Sequence, residues 1–159
     1  MKRGKISDTI LGRSVFKLLG KRGNTVKPAY GQDAAHINMQ GKPVLAAVST
    51  GELAVYRAVN NISAACGVAD CIMDTVIIDE KSREIRLKEI IKELDRQCCI
   101  AGVGIAGGHT TVSDKVNSPV VSVMAIGHQE RVQNKAVAGQ DIVVTKHIGM
   151  SGIRTVIDC

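Results

Sequence analysis

The chain is 159 residues long, room for one ordinary domain that buries a core without disulfides or a structural metal. It is 45% hydrophobic but only 2% aromatic, so its core is aliphatic, which argues against a base-stacking platform for nucleic acid. Lys and Arg outnumber Asp and Glu by 21 to 15, a formal charge of +6; much of the excess sits early, at Lys2, Arg3, Lys5, Arg13, Lys17, Lys21, Arg22 and Lys27, a solvated basic end able to meet polyphosphate or an acidic partner.

Ser7 or Asp8 can cap a helix running to about Leu19, with Ile10, Leu11, Val15, Leu18 and Leu19 along one side and Gly20 and Gly23 ending it. Thr25 to Gln32 reads as loop. Two extended runs follow, "DAAHINMQ" and "KPVLAAVST", joined around Gly41 as a hairpin.

Glu52 to Cys66 suits a helix that buries Leu53, Val55, Tyr56, Val59 and Ile62 and stops at Gly67; Asn60 and Asn61 are its odd residues, either polar groups facing a cleft or hydrogen-bonded core amides. "DCIMDTVIID" has the length and β-branched content of a strand. Ser82 to Cys99 then carries Ile85, Leu87, Ile90, Ile91, Leu94 and Cys98 at helical spacing. "GVGIAGG" reads as a short strand, "SPVVSVMAIG" as a longer one, and "QDIVVTK" as a last one before the glycines of "HIGMSG".

Paired strands in runs, with helices interposed rather than strictly alternating, indicate an α+β domain with its helices on one sheet face. The five cysteines, Cys66, Cys71, Cys98, Cys99 and Cys159, form no CxxC pair and no zinc-finger spacing, so they read as buried thiols of a reducing cytoplasm. No apolar run reaches the roughly 20 residues that cross a bilayer, and no signal-peptide core follows the basic start, so the expected location is cytoplasmic.

Walker, HExxH, GxSxG and strand-helix GxGxxG signatures are all missing. The stretch that bears on chemistry is "GIAGGHTTVSD". Two successive glycines let a backbone approach a ligand closely and can form an anion nest, with His109, Thr110 and Thr111 beside it. By spacing alone a glycine-rich turn with a polar rim is the plainer reading. Asp33, in "YGQDAAHI", sits where a loop enters an apolar run and can grip Mg²⁺ together with substrate phosphates, or form an Asx-type turn. His36, His128 and His147 have no matched spacing and read as core or surface residues.

In order, "GKISDTILGRSVFKLLG", "GQDAA", "AVNNISAACG", "GGHTTVSDKVNSPVVSVMAIG" and "AGQDIVVTKHIGMSG" resemble the N-terminal domain of the aminoimidazole ribonucleotide (AIR) synthetase superfamily. AIR synthase-related members near the hydrogenase maturation factors look most similar. The resemblance implies an α+β fold with a mixed or antiparallel sheet of about four strands, pairing with a second copy in a homodimer. It implies ATP and Mg²⁺ near that interface and ATP-driven phosphorylation of a small-substrate oxygen. It also implies a second domain of comparable size after the G-x-x-G turn, so residues 1–159 would be a single N-terminal domain whose C-terminal partner is missing.

Carried over by position, Asp33 resembles the magnesium-binding aspartate of G-E-D-A-A, while Gly107, Gly108 and His109, with Thr110, match the glycine motif near the phosphates, and Asn61 falls in the V-N-D helix motif. Three positions depart from the pattern. Gly51 in "VSTGE" stands where a metal-binding aspartate is expected, Asn61 where a second carboxylate is, and Gln32 where an acidic residue is common. Two readings follow: an ATP-binding, dimerising domain, or a dimerisation or regulatory module whose magnesium site has decayed.

Overall fold

The computed structural model describes residues 6–19, 31–131 and 136–144. Within them the chain forms α1 (Asp8–Ser14), β1 (Ala35–Met39), β2 (Lys42–Thr50), α2 (Ala54–Ala64), β3 (Gly67–Asp79), α3 (Glu84–Ala101), β4 (Gly104–Ser113) and β5 (Val120–Gln129). The five strands make one mixed sheet in the order β1-β2-β5-β3-β4, in keeping with the mixed sheet of about four strands that the resemblance implies.

The first helix is shorter than its apolar side suggests: α1 stops at Ser14 and one 3₁₀ turn, Phe16–Leu18, follows. Neither element has a fully buried residue. Gly20, Gly23 and the loop through Tyr30 lie outside the described residues.

Gln40 and Gly41 both have positive φ, +52° and +83°, the requirement of a two-residue hairpin turn whose twist matches the strands it joins. Met39 therefore pairs with Lys42, and the Gly41 amide donates to Asn38 Oδ1 at 2.8 Å. Next, α2 begins at Ala54 and buries Ala54, Val55, Ala58 and Ile62.

β3 starts at Gly67, three residues before the expected strand, and runs for 13 residues with a shift in its register against β5 between Ala69 and Cys71. From it the chain crosses through α3 to β4, which pairs with β3 in parallel; a parallel neighbour needs such a crossover. Beyond Ala101 the chain turns at Gly102, in the left-handed conformation, with Val103 N–H bonded to Cys98 O at 3.1 Å, which closes the helix end. β5 then returns antiparallel between β2 and β3.

The last predicted strand is not found. Gln140 to Val144 carry no strand and Ile142 is 93% exposed, while Thr145 and Lys146, His147 and Cys159 lie outside the described residues. Apolar β-branched residues pair only where a neighbouring edge offers them partners, and nothing in the described fold meets this run.

Both long helices lie on one face of the sheet, as expected. α2 lies across β2, β3 and β5 and against α3, whereas α3 touches β4 only at its margin. Leu45, Ala47, Ile72, Val76, Ile78, Val123 and Ala125 of the sheet meet Val55, Ala58, Ile62, Leu94 and Cys98 of the helices in one aliphatic core. Gln97, 1% exposed, ties α3 to the turn that leads into α2: its Nε2 donates to Glu52 O at 2.7 Å and, within α3, to Glu93 Oε1 at 2.8 Å, leaving Oε1 buried without a partner among the described residues. Cysteine burial is uneven, with Cys98 in the core, Cys66 and Cys71 half-buried and Cys99 exposed.

Among the described residues the opposite face is open. Register places Ala46, Ile126 and Cys71 side by side on it, then Val48, Met124 and Met73, then a polar row of Thr50, Ser122, Thr75 and His109. Val48 at 62% exposure and Met73 at 41% show how little of that apolar face the described chain covers by itself.

Candidate functional site

The glycine stretch is neither a turn nor a nest. Gly104 through Ser113 is one continuous edge strand, and the turn comes later, between Asp114 and Pro119. Neither Gly107 nor Gly108 has a positive φ, so the alternating backbone that builds an anion nest is not present here.

Strand alternation divides the motif between the two faces. Gly107 pairs with Met73 and His109 with Thr75, on the open face; Gly108 pairs with Asp74 and Thr110 with Val76, on the helix face. Because α3 barely reaches β4, Gly108, His109 and Thr110 all stay exposed. β4 is also an edge: β3 is its one neighbour in the described sheet, so the outward backbone N–H and C=O groups are not used in pairing.

The feature that the sequence reading missed lies directly behind this edge. Asp74 sits in mid-strand on β3 with 9% exposure, and burial pushes its carboxyl above the usual carboxylate value against a smaller opposing pull from its own backbone amide. A Cβ on Gly108 would lie 2.5 Å from Asp74 Oδ1 and 2.7 Å from Asp74 O. Gly108 is therefore a glycine because the Asp74 carboxyl and backbone occupy the space beside it. Cys98 packs nearby, its thiol pushed up first by burial and then by the negative charges of Asp95 and Asp74. The sequence signal available was the single charge inside the apolar run "CIMDTVII", at a position whose parity matches Ile72, Val76 and Ile78.

Asp79, at the end of the same strand, is a structural contrast. The Ser82 hydroxyl donates to its Oδ2 at 2.6 Å and the Lys81 amide to Oδ1 at 3.1 Å, and the serine first of all holds its carboxyl below the usual value.

Asp33 and Asn61 lie elsewhere. Asp33 is exposed just before β1 and lines a shallow depression of about 70 Å³ with Gly31, Gln32, Ala34, His36, Ala64 and Ala65. Asn61, half-buried on α2, is one helical turn before Ala65 and so belongs to the same side of the molecule. β1 and β4 are opposite edges of the sheet, separated by β2, β5 and β3. Four spacings of about 4.8 Å put the β1 and β4 strands roughly 19 Å apart across the sheet of one chain. The structure brings Asp33 toward the Asn61 end of α2 and brings Gly108 and Thr110 together with Asp74, but it does not unite the two groups.

Among the described residues no three His, Cys, Asp or Glu side chains gather as a metal cage. At the third departure position, Gly51 has φ +96°, a backbone that an aspartate would occupy only under strain. No described helix is long and apolar enough to cross a membrane.

The domain described as "AIR synthase related protein, N-terminal domain" matches residues 26–129. Among solved structures, a HypE-HypF complex matches at 23% identity and TM-score 0.61, covering 76% of this chain and 43% of that one. The tt0281 protein of Thermus thermophilus matches at 15% identity and TM-score 0.64, over 78% of this chain and 44% of that one. AaThiL complexed with AMPPCP and TMP matches at 14% identity and TM-score 0.58, over 82% and 46%. At these identities the likeness speaks for the fold, and the chain spans less than half the length of each of the three. No curated protein sequence matches it.

Proposed function

Because the chain belongs to the AIR synthase related family through that N-terminal domain, we propose that it is a nucleotide-binding and dimerising domain of an ATP-dependent protein, acting in the cytoplasm as a homodimer. The observation that carries this reading is the β4 edge, ten residues with no charged side chain, unpaired outward amides and an exposed Thr110 hydroxyl beside two glycines. Such an edge offers hydrogen bonds to phosphate at close range without opposing charge. The solved relatives support it, since one HypE structure is in complex with ATP and AaThiL was complexed with AMPPCP.

In this reading Gly107, Gly108, His109 and Thr110 bind the nucleotide's phosphates, Asn61 assists, and Asp33 takes Mg²⁺. The gap of roughly 19 Å between the β1 and β4 strands of one chain supports a site shared between two copies, with Asp33 from one and the glycine edge from the other. The open face, with Val48, Met73, Met124 and Ile126, is the apolar surface on which the second copy would sit. The reaction class is ATP-driven phosphorylation of an oxygen on a small substrate, for which residues 1–159 supply one domain and a second domain the rest.

Calorimetry with ATP and ADP, with and without Mg²⁺, tests it alongside sedimentation. Binding by a dimer is the expected result; absence of binding by a correctly folded dimer, including one that carries the second domain, removes the nucleotide reading.

The decayed-module reading is favoured by Gly51 and Asn61. Restoring Asn61→Asp discriminates, because Mg-dependent ATP binding that appears only in the variant is the mark of a lost site, and strong binding by the unmodified chain overturns the decay.

A further inference from the structure

We infer that the segment from Ile6 to Leu19 is a docking surface for an anionic lipid bilayer, lying in the headgroup layer without crossing it. This is independent of the nucleotide reading, since none of these residues belongs to that site. Charge is the first observation. Residues 1–27 hold eight lysines and arginines against one acid, Asp8, whereas the rest of the chain holds 13 against 14. The formal charge of +6 therefore belongs to this end, and the body of the domain is close to neutral.

Apolar exposure at the same place is the second observation. Leu18 is 77% exposed and Leu19 49%, with Ile6 and Val15 exposed as well, interleaved with the exposed Arg13 and Lys17. None of these aliphatic side chains belongs to the core. Among the described elements, α1 and the 3₁₀ turn after it make their substantial contacts with each other.

The two properties together select the partner. A second copy of this segment would set like charge against like. Nucleic acid or an acidic peptide would match the cations but leave the aliphatic side chains in water, and a chain with 2% aromatic residues gives bases little to stack on. An anionic bilayer takes both: its headgroups meet Arg13 and Lys17, and the acyl boundary takes Val15, Leu18 and Leu19. Long basic side chains suit that depth, because their stems lie along apolar surface while their charges stay among the headgroups. At seven residues α1 is far short of the roughly 20 that cross a bilayer, so the mode is interfacial.

The test is flotation of the full chain with two kinds of vesicle, phosphatidylcholine alone and phosphatidylcholine with about one-third phosphatidylserine. Binding to the anionic vesicles, weakening as salt is raised, is the expected result. Arg13→Gln with Lys17→Gln should lower that affinity roughly tenfold, and Leu18→Asn with Leu19→Asn roughly tenfold or more. Melting temperatures should not change, because none of the four residues is in the core. No flotation of the unmodified chain with anionic vesicles, equal flotation with phosphatidylcholine alone, or full flotation of both double variants overturns the inference. Tighter binding to duplex DNA or polyglutamate than to the vesicles, unaffected by the leucine substitutions, overturns it too, since charge alone would then be at work.

Discussion

At the β1 edge the sheet ends in five residues beside an exposed carboxylate, Asp33, and a depression of about 70 Å³. At the β4 edge it ends in ten residues without a single charge, and the carboxylate, Asp74, lies one strand inward and buried. The same residue type is hydrated at one edge and desolvated at the other. Motif matching finds the first, because it follows a recognisable loop; burial and register find the second. What differs is the support behind each edge, and that difference can be broken by substitution.

The largest expected contrast is in packing. Ile72 is fully buried behind the β4 side and Ile37, on β1, is only half-buried. Ile72→Ala should cost about 2–5 kcal/mol in urea unfolding, and Ile37→Ala well under half of that. Equal losses would mean that the two edges are supported alike.

The next contrast lies within the glycine pair. A Cβ on Gly107 meets nothing within 4 Å, whereas one on Gly108 meets Asp74 at 2.5 Å. Gly108→Ala should lose about 1–3 kcal/mol, while Gly107→Ala is neutral or slightly stabilising through its effect on the unfolded chain. A phosphate nest needing both glycines would make the two costs similar in ligand affinity, and thermal melts without ligand separate stability from binding.

Asn38→Ala, which removes the acceptor for the Gly41 amide in the exposed hairpin of the β1 side, should cost about 0.5–1 kcal/mol. A larger loss would show that the hairpin turn, rather than the core, anchors that edge.

The smallest effect is in pH dependence, where two aspartates of β3 pull in opposite directions. Folding raises the Asp74 value, so the folded form holds its proton longer and stability from this group declines as pH rises from the ordinary carboxylate value through the raised one. Folding lowers the Asp79 value, so its contribution is present above the ordinary value and is lost as pH falls through the lowered one. Melting temperatures across the acid range should lose the first slope in Asp74→Asn and the second in Ser82→Ala; unchanged curves would show that neither carboxyl is coupled to folding.

Much of the fold was legible because periodicity records burial. α3 follows its apolar spacing from Leu87 to Cys98, and the hairpin follows Gly41. A glycine pair signals a turn, so the sequence places the end of β4 at Gly108, and nothing local reveals that Asp74 on another strand requires the second glycine. The segment from Gln140 has the isoleucine and valine content that favours a strand, yet pairing is a property of neighbours and not of the run itself. Asp33, Asn61 and the edge from Gly107 to Thr110 were visible as residue types; that they stand at opposite edges is a fact of strand order, which no motif contains.

That strand order has a consequence in time. Among the described strands of the sheet, the central member, β5, is the last to be synthesised. Until residue 129 is available, the hairpin β1–β2 and the β3–α3–β4 unit have no strand between them, and the core residues Val123 and Ala125 are absent. The two halves thus wait on a late keystone, and a chain ended before β5 holds two separate pairs of strands, each with an apolar flank uncovered.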